Sequence, residues 1–189
     1  MPQETSIMLP LGTKAPHFKL MDTVTDVNIT LEDAKGLNGT VIAFICNHCP
    51  FVKHINAELV RMAKDYKAKG IDFIAISSND VEKYPQDGPD EMKTTAKNEG
   101  YIFPYLYDAS QQVAKAYQAA CTPDFFVFDD SLHLVYRGQL DDSRPGNGKP
   151  VTGSDIRAAL TALINHQPIS ENQKPSIGCN IKWKSETAK

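Results

Sequence analysis

The chain alternates unbroken apolar runs with segments whose apolar residues recur every three or four positions. Residues 41–45 and 71–76 are apolar runs of the kind that form strands buried on both faces of a sheet. Between them, residues 51–68 show helical spacing, and Gly70 follows the expected helix end. A strand, a helix and a second strand in this order predict a right-handed βαβ unit.

The flanking segments predict further strands and helices in alternation. The expected strands lie at residues 16–20, 27–31, 103–107, 125–128 and 132–136, where the first two and the last two form hairpins. The expected helices lie at residues 90–98, 110–119 and 156–164. We therefore expect an α/β fold with a mixed central sheet flanked by helices, formed by one domain over residues 1–166. Residues 167–189 are a polar tail, which we expect to dock on that domain.

The segment Cys46-Asn47-His48-Cys49-Pro50 stands where strand 41–45 gives way to helix 51–68. A cysteine at a helix start faces unpaired backbone N–H groups and the positive end of the helix dipole, which favour the thiolate. We expect Cys46, nearer the helix start, to attack a disulfide and Cys49, one turn further in, to resolve the intermediate. The alternative is a pair of unrelated structural cysteines.

His48 lies between the two cysteines, where an imidazolium would stabilise the Cys46 thiolate. Lys53 and His54 add positive charge near the same helix start. For these two residues a solvated first helical turn explains the pattern equally well.

Composition and charge narrow the class of protein. The 189 residues are 41% hydrophobic and carry a net charge of −3, with both signs interspersed, so no basic stripe for nucleic acid and no polybasic membrane patch is present. Residues 1–11 lack the features of a secretory signal, and no apolar segment has the length of a membrane span. We expect a cytoplasmic protein, whose thiols stay mostly reduced, and in this setting a CxxC pair is catalytic or binds metal.

A metal site is the alternative that the same residues leave open. Cys46, His48 and Cys49 offer soft ligands, and Cys121 or Cys179 could complete a set. A structural zinc site usually supplies a second closely spaced pair, however, and Cys121 and Cys179 are far apart in the sequence. We therefore predict no metal and no other cofactor.

Four segments together resemble a known family: residues 12–20, the sequence CNHCPFVKH at residues 46–54, residues 77–80 and residues 121–129. The combination resembles the thioredoxin superfamily, and most closely its redoxin branch (AhpC/TSA and TlpA-like). The resemblance implies a thioredoxin-like fold with an N-terminal hairpin and a central insertion after Asp80. It also implies a cis peptide at Pro123 beside the dithiol, so that Thr122 and Pro123 would line the substrate groove.

Within this superfamily, peroxidases and disulfide oxidoreductases differ in sequence. The peroxiredoxin motif has a proline seven residues and a threonine or serine three residues before the attacking cysteine. Gly39 and Ala43 take those positions relative to Cys46, and Ile42 and Cys46 take them relative to Cys49. We therefore favour a thiol–disulfide oxidoreductase restored by another dithiol system, acting on protein or small-molecule disulfides. A hydroperoxide reductase with Cys46 as peroxidatic residue is the first alternative, and a metal-binding module is the second.

Three further residues carry open interpretations. Cys179 lies among apolar residues of the tail, where it either exchanges with the Cys46–Cys49 pair or a partner, or is a small buried thiol that anchors the tail. We prefer the anchoring interpretation for Cys179, and more strongly for Cys121, which lies near the expected cis-proline. Arg137 is a candidate cation near the site.

Both directions of thiol–disulfide exchange stay open, because His48 resembles the dipeptide of oxidising members whereas a cytoplasmic setting favours reduction.

Overall fold

The structure, a computed structural model, describes residues 2–185. Its strands are β1 (Gln3–Thr5), β2 (Lys19–Asp22), β3 (Val27–Thr30), β4 (Gly39–Phe44), β5 (Ile71–Ser77), β6 (Tyr105–Tyr107), β7 (Cys121–Thr122), β8 (Asp124–Asp129), β9 (Leu134–Gly138) and β10 (Ile177–Asn180). Its α-helices are α1 (Leu31–Ala34), α2 (Pro50–Lys67), α3 (Pro89–Glu99), α4 (Gln112–Ala116) and α5 (Ser154–Ile164), and a short 3-10 helix spans Pro85–Asp87.

A seven-stranded mixed sheet forms the centre, in the order β3-β2-β6-β5-β4-β8-β9. β4 and β5 are parallel, as are β5 and β6, and the remaining neighbours are antiparallel. Every residue of the central strand β4 is buried, which requires a layer of structure on each face of the sheet. The predicted mixed sheet is confirmed.

The side chains of β4 alternate between two hydrophobic clusters, as the period of a strand dictates. Val41 and Ala43 pack in the cluster that contains the buried faces of α2, α3 and α5. Ile42 and Phe44 pack in the other cluster, which α1 and α4 cover. The helices therefore flank the sheet on both faces, as predicted.

The two predicted hairpins are confirmed, and the first extends the central sheet. β2 pairs with β3, and its last two residues also pair with β6. The expected helix at residues 110–119 is shorter than predicted, because Gln111 and Gln118 both have positive φ and bound α4 on either side. No helix in the described range 2–185 has the length and apolarity needed to cross a bilayer.

A second sheet, in the order β1-β10-β7, was not predicted. Its strands have only two to four residues, and β10 comes from the polar tail. Cys179 pairs with Gln3 on one side and with Thr122 on the other. Gly178 makes this close approach feasible, because a Cβ there would lie 2.0 Å from the carbonyl oxygen of Thr122. This sheet fixes the tail beside the loop that follows β4.

Candidate functional site

The dithiol segment connects β4 to α2, but its cysteines stand differently from the prediction. α2 begins at Pro50, and Cys49 is its N-cap residue, with φ −68° and ψ 122°. A proline suits the first helical position and pushes the residue before it out of the helical region, so neither cysteine enters the helix. The expectation that Cys46 lies nearer the helix start and Cys49 one turn further in was therefore wrong.

Cys49 lies among hydrogen-bonding groups, one of which, the carbonyl oxygen of Thr122, accepts from its thiol. Its Sγ lies 2.9 Å from the Sγ of Cys179 and 3.2 Å from the carbonyl oxygen of Thr122. Hydrogen bonds from the Cys46 thiol, then from the Cys179 thiol and the Val52 backbone N–H, lower the pKa of Cys49 to about 4 although burial opposes this shift. The N-cap position adds the favourable end of the helix dipole. Cys49 is the sulfur on which a negative charge is most stable.

Cys46 has the opposite preference. Its Sγ lies 3.6 Å from the Thr122 hydroxyl and 3.9 Å from Nδ1 of His48. The hydrogen bond that it donates to Cys49, its burial and the nearby Asp87 carboxylate together raise the pKa of Cys46 well above its ordinary value. The directions of the two pKa shifts favour a proton on Cys46 and a negative charge on Cys49.

Asp87, from the 3-10 helix, organises the loop, and the sequence analysis missed it. One of its oxygens accepts from the backbone N–H groups of Asn47 and His48 at 2.9 and 3.2 Å. The other accepts from His48 Nδ1 at 2.5 Å and from the Asn79 amide at 2.8 Å. Burial raises the pKa of Asp87, but the His48 and Asn79 hydrogen bonds outweigh it and hold the pKa below its ordinary value. The sequence feature that could have indicated Asp87 was a carboxylate in the turn-rich segment after β5.

His48 therefore serves two neighbours. Its Nδ1 faces both the Asp87 carboxylate and the Cys46 sulfur, and its ring stacks on Tyr84 at a centroid distance of 5.4 Å. The imidazole is held in place by these contacts. Any effect of its charge on Cys46 is opposed by the carboxylate of Asp87, so that His48 alone does not decide where the thiolate forms.

Thr122 and Pro123 lie against the dithiol. The peptide bond between them is cis, as the family resemblance implied. Thr122 contacts Cys46 through its hydroxyl and Cys49 through its carbonyl oxygen. The structure thus brings together both cysteines of the predicted pair, the tuning histidine and the predicted groove residues.

The other candidate residues separate into one that joins the site and four that do not. Cys179 joins it through its contact with Cys49. The Cys121 thiol is directed at the carbonyl oxygen of Pro123 at 3.5 Å, and Arg137 donates to Gln173 at 2.7 Å. Among the described residues, the side chains of Lys53 and His54 make no hydrogen bond or ion pair with the dithiol.

The sulfurs of the site are almost completely buried. The exposed fractions of Cys46, Cys49 and Cys179 are 1%, 0% and 3%. A groove of about 480 Å³ reaches the outer side of the loop at Asn47 and His48. Only small reactants meet the sulfurs without movement of a covering segment.

One set of residues could hold a metal ion. The ligand atoms of Cys46, His48 and Asp87 lie within 4.8 Å of one another, and no other such group is found across residues 2–185. A structural zinc site uses four ligands, and Asp87 already accepts four hydrogen bonds. The metal-binding alternative therefore rests on three ligands, and one of them, Asp87, is already occupied by hydrogen bonds.

The comparison with protein families identifies the chain. The model of the AhpC/TSA family matches residues 11–137. The chain belongs to the AhpC/TSA family. This membership confirms the resemblance to the redoxin branch that the four sequence segments indicated.

Solved structures agree with this membership. An uncharacterized conserved protein from Geobacillus kaustophilus is 60% identical, with a TM-score of 0.97 and 99% of each chain covered. A hypothetical protein from Sinorhizobium meliloti 1021 is 48% identical, with a TM-score of 0.93, covering 96% of this chain and 98% of that one. No curated protein matches this family member.

A more distant structure supports the fold. A putative thiol:disulfide interchange protein DsbE from Chlorobium tepidum is 20% identical, with a TM-score of 0.65, covering 82% of this chain and 99% of that one. The predicted thioredoxin-like fold is confirmed.

Proposed function

We propose that this AhpC/TSA family member is a thiol–disulfide oxidoreductase whose redox pair is Cys46 and Cys49. The observation that carries the proposal is the contact of both sulfurs with Thr122, beside the cis Thr122–Pro123 peptide: the Cys46 Sγ lies 3.6 Å from its hydroxyl and the Cys49 Sγ lies 3.2 Å from its carbonyl oxygen. Two cysteines three residues apart that contact the same residue need little backbone movement to form a disulfide. No cofactor is required, because the electrons pass between sulfur atoms.

The different charge preferences of the two cysteines suggest their roles. In the oxidised protein, an external thiolate attacks Cys46, the bond between Cys46 and Cys49 breaks, and Cys49 leaves with the electron pair. The thiol with the lower pKa is the better leaving group, and hydrogen bonds from Cys179 and the Val52 N–H stabilise the departing thiolate. Cys46 thus carries the mixed disulfide, and Cys49 is the resolving sulfur in the reverse reaction.

The second half of the reaction completes the electron balance. A second external thiolate attacks the substrate sulfur of the mixed disulfide, which forms the product disulfide and releases Cys46. Cys46 then takes up a proton, which agrees with its raised pKa. His48 Nδ1, between Cys46 and Asp87, is the group in position to deliver that proton.

The same charge distribution favours one direction. Hydrogen bonds that stabilise the Cys49 thiolate stabilise the reduced protein, and a stabilised reduced form makes the disulfide a stronger oxidant. We therefore propose oxidation of external thiols as the preferred direction, with another disulfide system restoring the protein. The cytoplasmic location and the division into residues 1–166 and 167–189 remain predictions.

Disulfide mapping across glutathione redox buffers tests the proposed function. We expect a reversible Cys46–Cys49 bond in the native sequence, loss of thiol oxidation in Cys46→Ser, and an accumulated mixed disulfide on Cys46 in Cys49→Ser. Cys121→Ser is the matched control, because it removes a buried thiol outside the pair, and it should keep the native pattern. Full activity in Cys46→Ser would refute the assignment.

Hydroperoxide reduction is the second candidate, and the burial of the sulfurs favours it. A small peroxide reaches a closed site more easily than a protein disulfide does. In this reaction the Cys49 thiolate attacks the terminal peroxide oxygen, the O–O bond breaks, and the alkoxide leaves as an alcohol after taking a proton. The Cys46 thiol then condenses with the Cys49 sulfenic acid, which gives the Cys46–Cys49 disulfide and water.

Peroxide treatment followed by a sulfenic-acid probe separates the two candidates. In Cys46→Ser/Cys179→Ser, both neighbouring thiols are absent, so a sulfenic acid on Cys49 should persist and react with the probe. Labelling of Cys49 would support the peroxidase, whereas an unlabelled Cys49 at a peroxide concentration that oxidises free glutathione would exclude it. The sequence alternative, with Cys46 as peroxidatic residue, predicts labelling of Cys46 in Cys49→Ser.

A further inference from the structure

Cys179 is in closer contact with the dithiol than an anchoring thiol needs to be. Its Sγ lies 2.9 Å from the Sγ of Cys49, and the two sulfurs of a disulfide are about 2.05 Å apart. Closing the remaining distance of about 0.9 Å requires only a side-chain adjustment. Cys49 therefore has two neighbouring thiols, Cys46 on the loop side and Cys179 on the tail side.

The tail is held at this position by backbone pairing on both sides. β10 hydrogen-bonds with β1 and β7, and Cys179 is paired with Thr122, whose hydroxyl and carbonyl oxygen contact the dithiol. Gly178 allows β10 to approach this residue, because any larger side chain would collide with the Thr122 carbonyl. This backbone pairing places the Cys179 sulfur against Cys49, within the hydrophobic cluster that also contains Cys46.

We propose that Cys179 is a third redox thiol, and that the disulfide of the oxidised protein moves between Cys46–Cys49 and Cys49–Cys179. This inference rests on the proposed dithiol chemistry of Cys49. In the step, the Cys179 thiolate attacks Cys49, the Cys49–Cys179 bond forms, and the Cys46–Cys49 bond breaks. The electron pair leaves on Cys46, which takes up the proton that Cys179 lost. Electrons balance within the chain, so no further oxidant or reductant is needed.

The exchange has two consequences for the site. It releases the Cys46 thiol while the protein stays oxidised, and it ties the tail covalently to the start of α2. β10 also occupies the backbone edge of Thr122, where a substrate strand would otherwise pair. An external thiol, which attacks Cys46, must then compete with Cys179, which attacks Cys49, for the same Cys46–Cys49 disulfide.

The direct test removes Cys46 and asks where Cys49 forms its bond. The full-length Cys46→Ser protein is oxidised with diamide, free thiols are alkylated, and disulfide-linked peptides are identified by mass spectrometry. We expect a Cys49–Cys179 peptide, which should be lost in Cys46→Ser/Cys179→Ser and kept in Cys46→Ser/Cys121→Ser. Recovery of Cys49 and Cys179 only as separate alkylated or adducted peptides, in a protein with native circular dichroism, would overturn the proposal.

A second variant tests the geometry without changing any thiol. Gly178→Ala should force β10 away from Thr122 and separate Cys179 from Cys49, because its Cβ would lie 2.0 Å from the carbonyl oxygen. In Cys46→Ser/Gly178→Ala we expect loss of the Cys49–Cys179 peptide. Gly146→Ala is the control for an added methyl group away from β10: no neighbour lies within 4 Å of its Cβ, and the φ of +80° adds backbone strain that Gly178→Ala does not have. An undiminished Cys49–Cys179 peptide in Cys46→Ser/Gly178→Ala would contradict the role assigned to β10.

These results are separable from those that test the proposed function. If the native sequence forms no Cys46–Cys49 bond but Cys46→Ser still forms Cys49–Cys179, the dithiol function and the disulfide exchange both fail, and Cys179 stands only as a redox partner of Cys49. If Cys46–Cys49 forms and oxidises thiols while Cys46→Ser forms no Cys49–Cys179 bond, the dithiol function stands and the third thiol fails.

Discussion

The two sheets meet at the cysteines, and they are built in different ways. In the seven-stranded sheet, β4 is paired over all six of its residues with β5 and again with β8. In the three-stranded sheet, β10 and β7 share two residue pairs. The first sheet supplies the rigid base of the Cys46–Cys49 loop, and the second brings Cys179 to it through a few backbone contacts. Local opening should therefore begin at the small sheet, where the fewest interactions must break.

A buried polar junction links the two sheets. The Ser6 hydroxyl, just after β1, donates to the Asp124 carboxylate at the start of β8 at a distance of 2.6 Å. The backbone N–H of Ser176, just before β10, donates to the same hydroxyl at 2.9 Å. The cysteine site is thus supported on one side by the buried seven-stranded sheet. On the other side it is supported by the short three-stranded sheet, which a few polar contacts hold in place.

Truncating one side chain in each sheet should give the largest difference in the free energy of unfolding. Phe125 is fully buried in β8, and Phe125→Ala should lower the free energy of unfolding by about 3–5 kcal/mol through lost transfer energy and a cavity. Ile177 in β10 is only half-buried, so Ile177→Ala should cost roughly 1 kcal/mol. Urea unfolding measures both values. Equal losses would mean that the two sheets unfold as one equally stable unit.

The junction should make stability depend on pH. Burial raises the pKa of Asp124 to about 7, against an ordinary value of 3.8, although the Ser6 hydrogen bond opposes the shift. The folded state holds a proton that the unfolded state releases. The protonated Asp124 therefore contributes up to about 4 kcal/mol to the free energy of unfolding. This contribution is complete below about pH 4 and is lost as the pH rises through 7.

Unfolding measured between about pH 5 and pH 8 tests this sign. The lowered pKa of Cys49 contributes a slope of the opposite sign, but it is common to both proteins. Between about pH 5 and pH 7 the native sequence should therefore lose stability relative to Asp124→Asn as the pH rises. Asp130→Asn is the control, because Asp130 is exposed in the β8–β9 turn. An identical slope in the native sequence and in Asp124→Asn would contradict the assignment of the pH dependence to the junction.

The smallest expected effect is a change in the pKa of Cys46 when the negative charge of Asp87 is removed. The Asp87 carboxylate helps to raise the pKa of Cys46. In a Cys49→Ser background, Asp87→Asn should therefore lower the Cys46 pKa. This pKa is measured from the thiolate absorbance as a function of pH. Asp90→Asn, an exposed carboxylate three residues further on, should leave that pKa unchanged. A rise of the Cys46 pKa in Asp87→Asn would show that loop order matters more than charge.

Local pattern was sufficient for most of the architecture. The apolar run at residues 41–45 and the helical spacing of residues 51–68 predicted β4 and α2, because burial on two faces or on one stripe leaves a periodic signature. The CxxC pair at their junction and the Thr122-Pro123 dipeptide were also readable. The position of the two cysteines relative to the helix start was not predicted correctly, although Pro50 carried that information in the sequence.

Tertiary structure alone decided how the site is completed. The strands β1, β7 and β10 are too short and too polar to leave a periodic signal, and they pair across more than 50 residues of sequence. Their pairing brings Cys179 to Cys49. Asp87 likewise reaches His48 only through the fold of the central insertion. The sequence by itself determined which groups could carry sulfur chemistry, because reactivity belongs to residue type and local position. Which of those groups touch, and which sulfur holds the charge, depended on long-range contacts that set distance, burial and hydrogen bonding.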